Sequence, residues 1–227
     1  MNGSVDGSFD DAYERIAGVD EVGRGALFGP VVAAAVILPR SAQSDLVAAG
    51  VTDSKRLSPA ARQHLARHIQ SVAVDCRVGM ASVREIDRIN ILQASLLAMK
   101  RAIVRLMPPP DFCLIDGNQS IPGLTLPQQS LVKGDQSCLE IAAASIIAKV
   151  WRDELIVRLA AKYPGYDLDT NKGYGTVKHR LALKQIGISK QHRRSFSPCQ
   201  LEQDPIEPAQ AVPVQTELIQ EELYLSQ

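Results

Sequence analysis

Residues 16–38, IAGVDEVGRGALFGPVVAAAVIL, set an Asp-Glu pair against a Gly-Arg-Gly turn and then run into apolar sequence. The run is too short to cross a bilayer, which takes roughly 20 residues, so it reads as a buried strand. Asp20 and Glu21 therefore lie beside the core. An ionised carboxylate near apolar surroundings is costly unless something compensates it, which points to a bound cation or a chemical role. Pairing with Arg24 is the plainer alternative.

Working outward, residues 14–22 read as a strand that stops at Gly23-Arg24-Gly25, and residues 30–38 as a second strand that makes a hairpin with the first. Pro30 at its start removes no central ladder bond. Thr52-Asp53-Ser54-Lys55 lies in a polar connection, and Ser58-Pro59 gives an N-cap and a first-turn proline for a helix to about Val72. Val74 to Ala81 reads as a strand, and Ser82 with Glu85 as a capping box opening a helical stretch that ends before Pro108-Pro109-Pro110. Phe112 to Ile115 is a short strand with Asp116 at its end, although Asp-Gly is also an ordinary turn pair. Leu139 to Leu159 reads as a long helix with Asp135 at its mouth, where an N-cap is the ordinary use of an aspartate and the positive helix terminus would also keep it ionised and ready to bind a metal. Tyr163-Pro164-Gly165-Tyr166 breaks that helix, and a Gly-rich loop at 171–176 precedes a basic helix from about Val177 to Ile186.

Hydrophobic residues make up 45% of the 227, enough for one large domain with its own core. Residues 1–14 read as a flexible leader, 15–198 as the folded body and 199–227 as an acidic, disordered tail with a weak final helix near Glu217 to Leu225. Cys76, Cys113, Cys138 and Cys199 show no CxxC pair, so buried reduced thiols are expected rather than a zinc site or disulfide framework. The leader carries acids where a secretory signal would carry bases, which suggests a cytoplasmic protein.

The formal net charge of zero divides into +6 over residues 1–198 and −6 over 199–227. From Lys172 to Arg194 seven bases occur with no acid, the most plausible phosphate-binding stretch, with a solvated helix face as the plainer reading. Tyr174 lies among these cations, as suits contact with a sugar or base face, although such a residue is often simply packed in its loop. If the sheet gathers Asp20, Glu21, Asp116 and Asp135, four like charges need cations to offset them. Mg²⁺ or Mn²⁺ suits an all-oxygen donor set, and two such ions about 4 Å apart are equipment for phosphodiester hydrolysis.

GVDEVGRG at 18–25, DSKRLS at 53–58, LIDGN at 114–118, KGD at 133–135, AASIIAKVWRD at 143–153, NKGYGT at 171–176 and HRRSF at 192–196 together resemble bacterial ribonuclease HII, the type 2 ribonuclease H family. The resemblance spans roughly Arg15 to Phe196. It implies a ribonuclease H-like α/β fold, with a mixed central sheet flanked by helices and a helical C-terminal part. It also implies endonucleolytic cleavage of RNA in RNA–DNA hybrids and at single ribonucleotides in duplex DNA, leaving 5′-phosphate and 3′-hydroxyl ends.

By that resemblance, Asp20, Glu21, Asp116 and Asp135 match metal-binding, catalytic carboxylates. Gly23, Arg24 and Gly25 match a turn that contacts the ribonucleotide 2′-hydroxyl, Tyr174 a tyrosine packed on the neighbouring deoxyribose, and Lys55 is a candidate phosphate contact. A monomer is expected, with no membrane partner. Another nuclease of the same fold, ribonuclease HIII and a non-catalytic hybrid-binding protein are the competing readings. One difficulty stands: consecutive strand residues face opposite ways, so Asp20 and Glu21 share a site only where the strand ends or distorts.

Overall fold

A computed structural model describes residues 13–200. The elements run β1 (Ile16–Val22), β2 (Val31–Ile37), α1 (Arg40–Ala48), α2 (Pro59–Val72), β3 (Asp75–Ala81), α3 (Val83–Ile103), β4 (Phe112–Asp116), β5 (Gln128–Leu131), α4 (Gly134–Ser137), α5 (Leu139–Lys162), α6 (Leu168–Asn171) and α7 (Val177–Ile186). The sheet order is β3-β2-β1-β4-β5. β1 and β2 pair antiparallel, as do β2 and β3, whereas β4 runs parallel to both β1 and β5.

Period-two alternation in the two central strands divides the core. Ala17, Val19, Val31, Ala33, Ala35 and Ile37 face α3, while Val32, Ala34 and Val36 face α1, α2 and α5. β2 is apolar throughout because both its faces are covered. Small residues let α5 come very close to β1. A Cβ on Gly18 would lie 2.0 Å from the Glu140 carbonyl carbon. Consequently the helix lies almost on the strand that carries Asp20.

A third cluster joins Leu27 and Phe28, from the β1–β2 connection, to Leu155, Ile156 and Leu159 of α5 and to Leu168, Leu183 and Cys199. The C-terminal helical part thus grips the segment following the Gly-Arg-Gly turn.

The Ser58 and Ser82 caps form as expected, the latter as a full capping box with Glu85. All four cysteines are free thiols. Four features differ from the sequence reading. α1 was not anticipated, because only Ala42 and Leu46 of its nine residues are buried and no apolar stripe announces it. β5 was hidden by its polar composition, QQSL, and forms through its parallel ladder with β4. α3 breaks at Asn90, whose φ of 66° is left-handed and whose side-chain oxygen accepts the Gln93 amide to restart the helix. Asp135 does not cap the long helix; it lies in the separate turn α4, and α5 begins after Cys138 with no side-chain cap.

No helix among the described residues is long and apolar enough to cross a membrane. The readings for residues 1–12 and 201–227 lie outside the described residues.

Gly18→Ala should destabilise the protein by about 1–3 kcal/mol or more, the usual cost of overpacking, because the added methyl meets backbone rather than a movable side chain. Urea unfolding measures this, and an unchanged midpoint would contradict the close packing of α5 on β1.

Candidate active site

Two parallel strands in the interior of the sheet part at one end of it. The β1–β4 ladder ends at Val19↔Ile115, whereas β1–β2 pairing continues to Val22↔Val32. Asp20 and Glu21 follow the last β4 contact on one side of the opening, and Asp116 ends β4 on the other. The Glu21 amide is taken at 2.7 Å by the Asp20 carboxylate, so the side chain bends back along its own strand. β1 stays paired with β2 through both residues, so the alternation persists on that side; Asp20 and Glu21 nonetheless interact electrostatically, and both feel Asp116.

Asp116 accepts the Gly134 amide at 2.8 Å, and that of Asp135, which tie the end of β4 to α4. Lys133 is left-handed with φ 58°, turning the chain so that Asp135 is buried close to Asp116. All four carboxylates therefore belong to one electrostatic cluster, with Asp116 interacting with the other three. Burial raises the carboxyl pKa of Asp20 well above the usual range, and Glu21 and Asp116 push it further; the Ser145 hydroxyl and Glu21 amide pull the other way. Glu21 is raised by burial despite Arg24, whose Nη1 is 3.3 Å from its Oε1. Asp116 is raised by burial and then by Asp135.

Lys55 answers this charge from the facing connection. Asp53 accepts the Lys55 amide at 2.9 Å, forming a 3₁₀ turn over Ser54–Arg56, and Arg62 donates to the Ser54 and Leu57 carbonyls, each at 2.7 Å. So held, Lys55 places Nζ 3.4 Å from Asp135 Oδ2. Burial would lower its pKa, but Asp135, Asp53 and Asp20 outweigh that and raise it. Ser54 also hydrogen-bonds Ser145 at 2.9 Å, which links the turn to α5 and through it to Asp20.

The donor set fits a hard divalent cation: four carboxylates, no sulfur or imidazole, and three acids destabilised by desolvation and one another. As the side chains stand, no group of three among the described residues forms a ready-made cage.

The Gly-Arg-Gly turn adjoins these acids. Gly23 has φ 91°, and a Cβ there would lie 2.1 Å from Arg152 Nε, so glycine is required on both counts. Arg24 and Gly25 are exposed. Tyr174 is brought to the turn by an isolated bridge with Ala26, and Gly173 O accepts the Leu27 and Phe28 amides at 2.8 and 3.2 Å. Its carbonyl is held by a histidine relay. The Ser189 amide donates to His192 Nδ1, leaving the His192 proton on Nε2 to donate at 3.0 Å to His179 Nε2; His179 Nδ1–H then donates to Tyr174 O at 2.9 Å. Both rings are neutral, since burial lowers His179 and lowers His192 to about 3 with His179 adding to the effect.

The family model described as ribonuclease HII matches residues 17–199. The chain belongs to the ribonuclease HII family. It is 67% identical over 191 residues to the ribonuclease HII of Acaryochloris marina, covering 84% of this chain and 96% of that protein. It is 63% identical over 201 residues to that of Trichodesmium erythraeum, covering 88% and 95%. Among solved structures it resembles the ribonuclease H2 of Pyrococcus horikoshii, with TM-score 0.69 and 27% identity over 82% of this chain and 95% of that one. It also resembles ribonuclease HII of Archaeoglobus fulgidus in a complex with PCNA, with TM-score 0.69 and 30% identity over 84% and 98%. The expected ribonuclease H-like fold is thereby established, and the protein is an enzyme, a ribonuclease H endonuclease of a metal-dependent family that acts on RNA–DNA hybrids. The non-catalytic reading falls, and the family match decides for ribonuclease HII over HIII.

Sequence reading gave no individual role to Ser145, Arg152, His192 or Arg193, which lie inside the motifs quoted above, and did not single out His179. An arginine amid the mostly apolar residues 141–156 was the one available signal. The seven-base stretch also needs correction. Lys178, Arg180, Lys184, Lys190 and Arg194 are exposed, but Arg193 is fully buried with its guanidinium on backbone carbonyls.

A carboxyl whose folded pKa is raised stabilises the fold below its unfolded pKa and loses that contribution as pH rises through the raised value. Asp20 therefore costs stability at neutral pH without a cation. Asp20→Asn should raise the metal-free melting temperature at pH 7.5, by roughly 2–4 °C per kcal/mol relieved, with less gain as pH falls towards 5. A lower melting temperature in differential scanning calorimetry would mean that the Ser145 and Glu21 hydrogen bonds outweigh the repulsion.

Proposed function

We propose that the enzyme incises the strand 5′ to a ribonucleotide, in RNA–DNA hybrids and at single ribonucleotides within duplex DNA, by metal-assisted phosphodiester hydrolysis. The observation that carries this reading is the adjacency of the carboxylate cluster to a block in which the segment directly after the Gly23–Gly25 turn, Ala26 to Phe28, is joined to the Tyr174 loop.

Asp20, Glu21, Asp116 and Asp135 would hold Mg²⁺ or Mn²⁺. Bound there, such ions supply a water activated for attack and offset charge on the leaving oxygen. Water adds to phosphorus as the P–O3′ bond breaks, giving a 5′-phosphate on the ribonucleotide and a 3′-hydroxyl upstream. The remaining work belongs to the chain itself. Asp116 and Asp135 are fixed to one another through the first amides of α4, and Asp20 is fixed to α5 through Ser145, so the acids are oriented before substrate arrives. Lys55, with its side chain 81% exposed and its ammonium already beside Asp135, is placed to meet a phosphate oxygen.

Recognition follows from what separates RNA from DNA locally, the 2′-hydroxyl. Backbone groups of Gly23, Arg24 and Gly25 can approach it, since Gly25 has no heavy atom within 4 Å of where a Cβ would stand. Tyr174 pressed on the next sugar leaves no space for a second 2′-hydroxyl and so favours an RNA-to-DNA junction. The exposed bases of α7 and beyond, Lys178, Arg180, Lys184, Lys190 and Arg194, extend the phosphate-binding surface. The same reading takes residues 15–198 as the catalytic unit of a cytoplasmic monomer.

The test uses two labelled duplexes with Mg²⁺ or Mn²⁺, one with a single ribonucleotide and one with a continuous RNA strand. The native enzyme should cut both, and Asp116→Asn should lose several kcal/mol of transition-state stabilisation, on the order of a thousandfold in rate. Cleavage of the long hybrid alone would retain the chemistry and sink the junction reading; an active Asp116→Asn would sink the carboxylate mechanism.

A further inference from the structure

Arg152 of α5 is 0% exposed, yet no carboxylate pairs with it among the described residues. Its three nitrogens donate to carbonyls instead: Nε to Pro30 at 3.1 Å, Nη2 to Phe28 at 3.0 Å and Nη1 to Lys172 at 2.9 Å. Gly23 packs directly on the guanidinium, and the Tyr174 ring lies with its centroid 5.5 Å from Cζ. One side chain thus touches the Gly-Arg-Gly turn, the connection leading from it to β2, the Gly-rich loop and Tyr174.

Burying a cation without a counter-ion is expensive, and apolar side chains of similar volume often stabilise such a position as well or better. Packing alone does not account for the residue. A planar fork with five donors in fixed directions does what an apolar group cannot, since it sets angles and distances between the segments it bonds. Those segments, 28–30 and 172–174, flank the two elements assigned above to reading the ribonucleotide and the following sugar. Seven residues upstream, Ser145 of the same helix bonds Asp20, so α5 ties that block to the carboxylates. Arg193 braces the turn from the other side, donating to Arg24 O at 2.8 Å and Gly29 O at 3.0 Å.

We propose that Arg152 is a positioning residue that sets the spacing between the Gly23–Gly25 turn and Tyr174, and thereby the selectivity for a ribonucleotide followed by a deoxyribonucleotide. This rests on the roles given to the turn and to Tyr174 under Proposed function. A lysine keeps the charge but has one nitrogen in place of the fork, so it cannot hold three carbonyls in these directions. Misplacement of recognition elements by about 1 Å is enough for a hundredfold loss.

The experiment compares native enzyme, Arg152→Lys, Tyr174→Ala and the double variant on the single-ribonucleotide duplex and the continuous hybrid, alongside melting temperature and amide hydrogen exchange. Arg152→Lys should lose incision at the single ribonucleotide by about 10- to 100-fold relative to the continuous hybrid, and should add little to Tyr174→Ala. The Leu27 and Phe28 amides, which donate to Gly173 O, should lose protection in Arg152→Lys. A parallel fall on both substrates, or an unchanged ratio where Tyr174→Ala does shift it, overturns the proposal. If Tyr174→Ala leaves the ratio unmoved, the reading of Tyr174 has failed instead, and selectivity through Arg152 fails with it; hydrogen exchange then reports separately whether the spacing role stands. Should Arg152→Lys not fold, Arg152→Met, which fills the volume without charge, takes its place under the same outcomes.

Discussion

Mutual repulsion among carboxylates held at the parting of two parallel strands is the constraint on which the rest of this structure depends. β1 and β4 stop pairing after Val19↔Ile115, and the opening they leave is lined by Asp20 and Asp116, with Glu21 and Asp135 close by. Nothing in hydrophobic packing favours such an arrangement. It persists because the surroundings are over-determined: α5 lies against Gly18, Ser145 and the Glu21 amide hold Asp20, and the Gly134 and Asp135 amides hold Asp116. Stability is given up at this opening for a charge pattern that a divalent cation can complete. Lys55 offsets part of the charge from a turn of its own.

The second half of the site follows a different rule. Where the carboxylates crowd like charges together, the block around Tyr174 buries two arginines and two histidines without ion-pair partners and holds them with carbonyls, a ring face and one another, while Arg193 Nη2 is left without a hydrogen bond. Burial lowers the pKa of Arg152, and lowers that of Arg193 to about 9 with Arg152 adding to the effect. Hydrogen bonds of fixed direction take the place of ion pairs. The gain is rigidity between segments distant in sequence, 23–30, 171–176 and 192–193, which secondary structure alone does not connect.

How much of this was legible in the sequence depended on the physics involved. β2 announced itself through composition, and the Ser58 and Ser82 caps through local chemistry, because each feature is encoded within a few residues. Asp20 with Glu21, and Asp116, stood out as candidates for a related reason, since an acid at the end of an apolar run is conspicuous against its neighbours, whereas Asp135 stood out only by its place before a long helix. α1 and β5 were not legible, since the first buries only two side chains and the second is held by its ladder with β4 rather than by an apolar pattern. The N-cap reading of Asp135 fails because, with three residues between it and Leu139, only the tertiary fold shows that it lies in a separate turn. Arg152 is conspicuous among apolar residues, but its role could not be read, for its carbonyl partners lie 20, 122 and 124 residues away; His179 and His192 lie 13 apart in separate segments.

The most direct test of the central claim is anomalous diffraction from crystals of the enzyme soaked in Mn²⁺. The account predicts density between Asp20 and Asp116 in the opening between β1 and β4, within reach of Glu21 or Asp135. Density absent there at saturating Mn²⁺, or located elsewhere on the molecule, would contradict it.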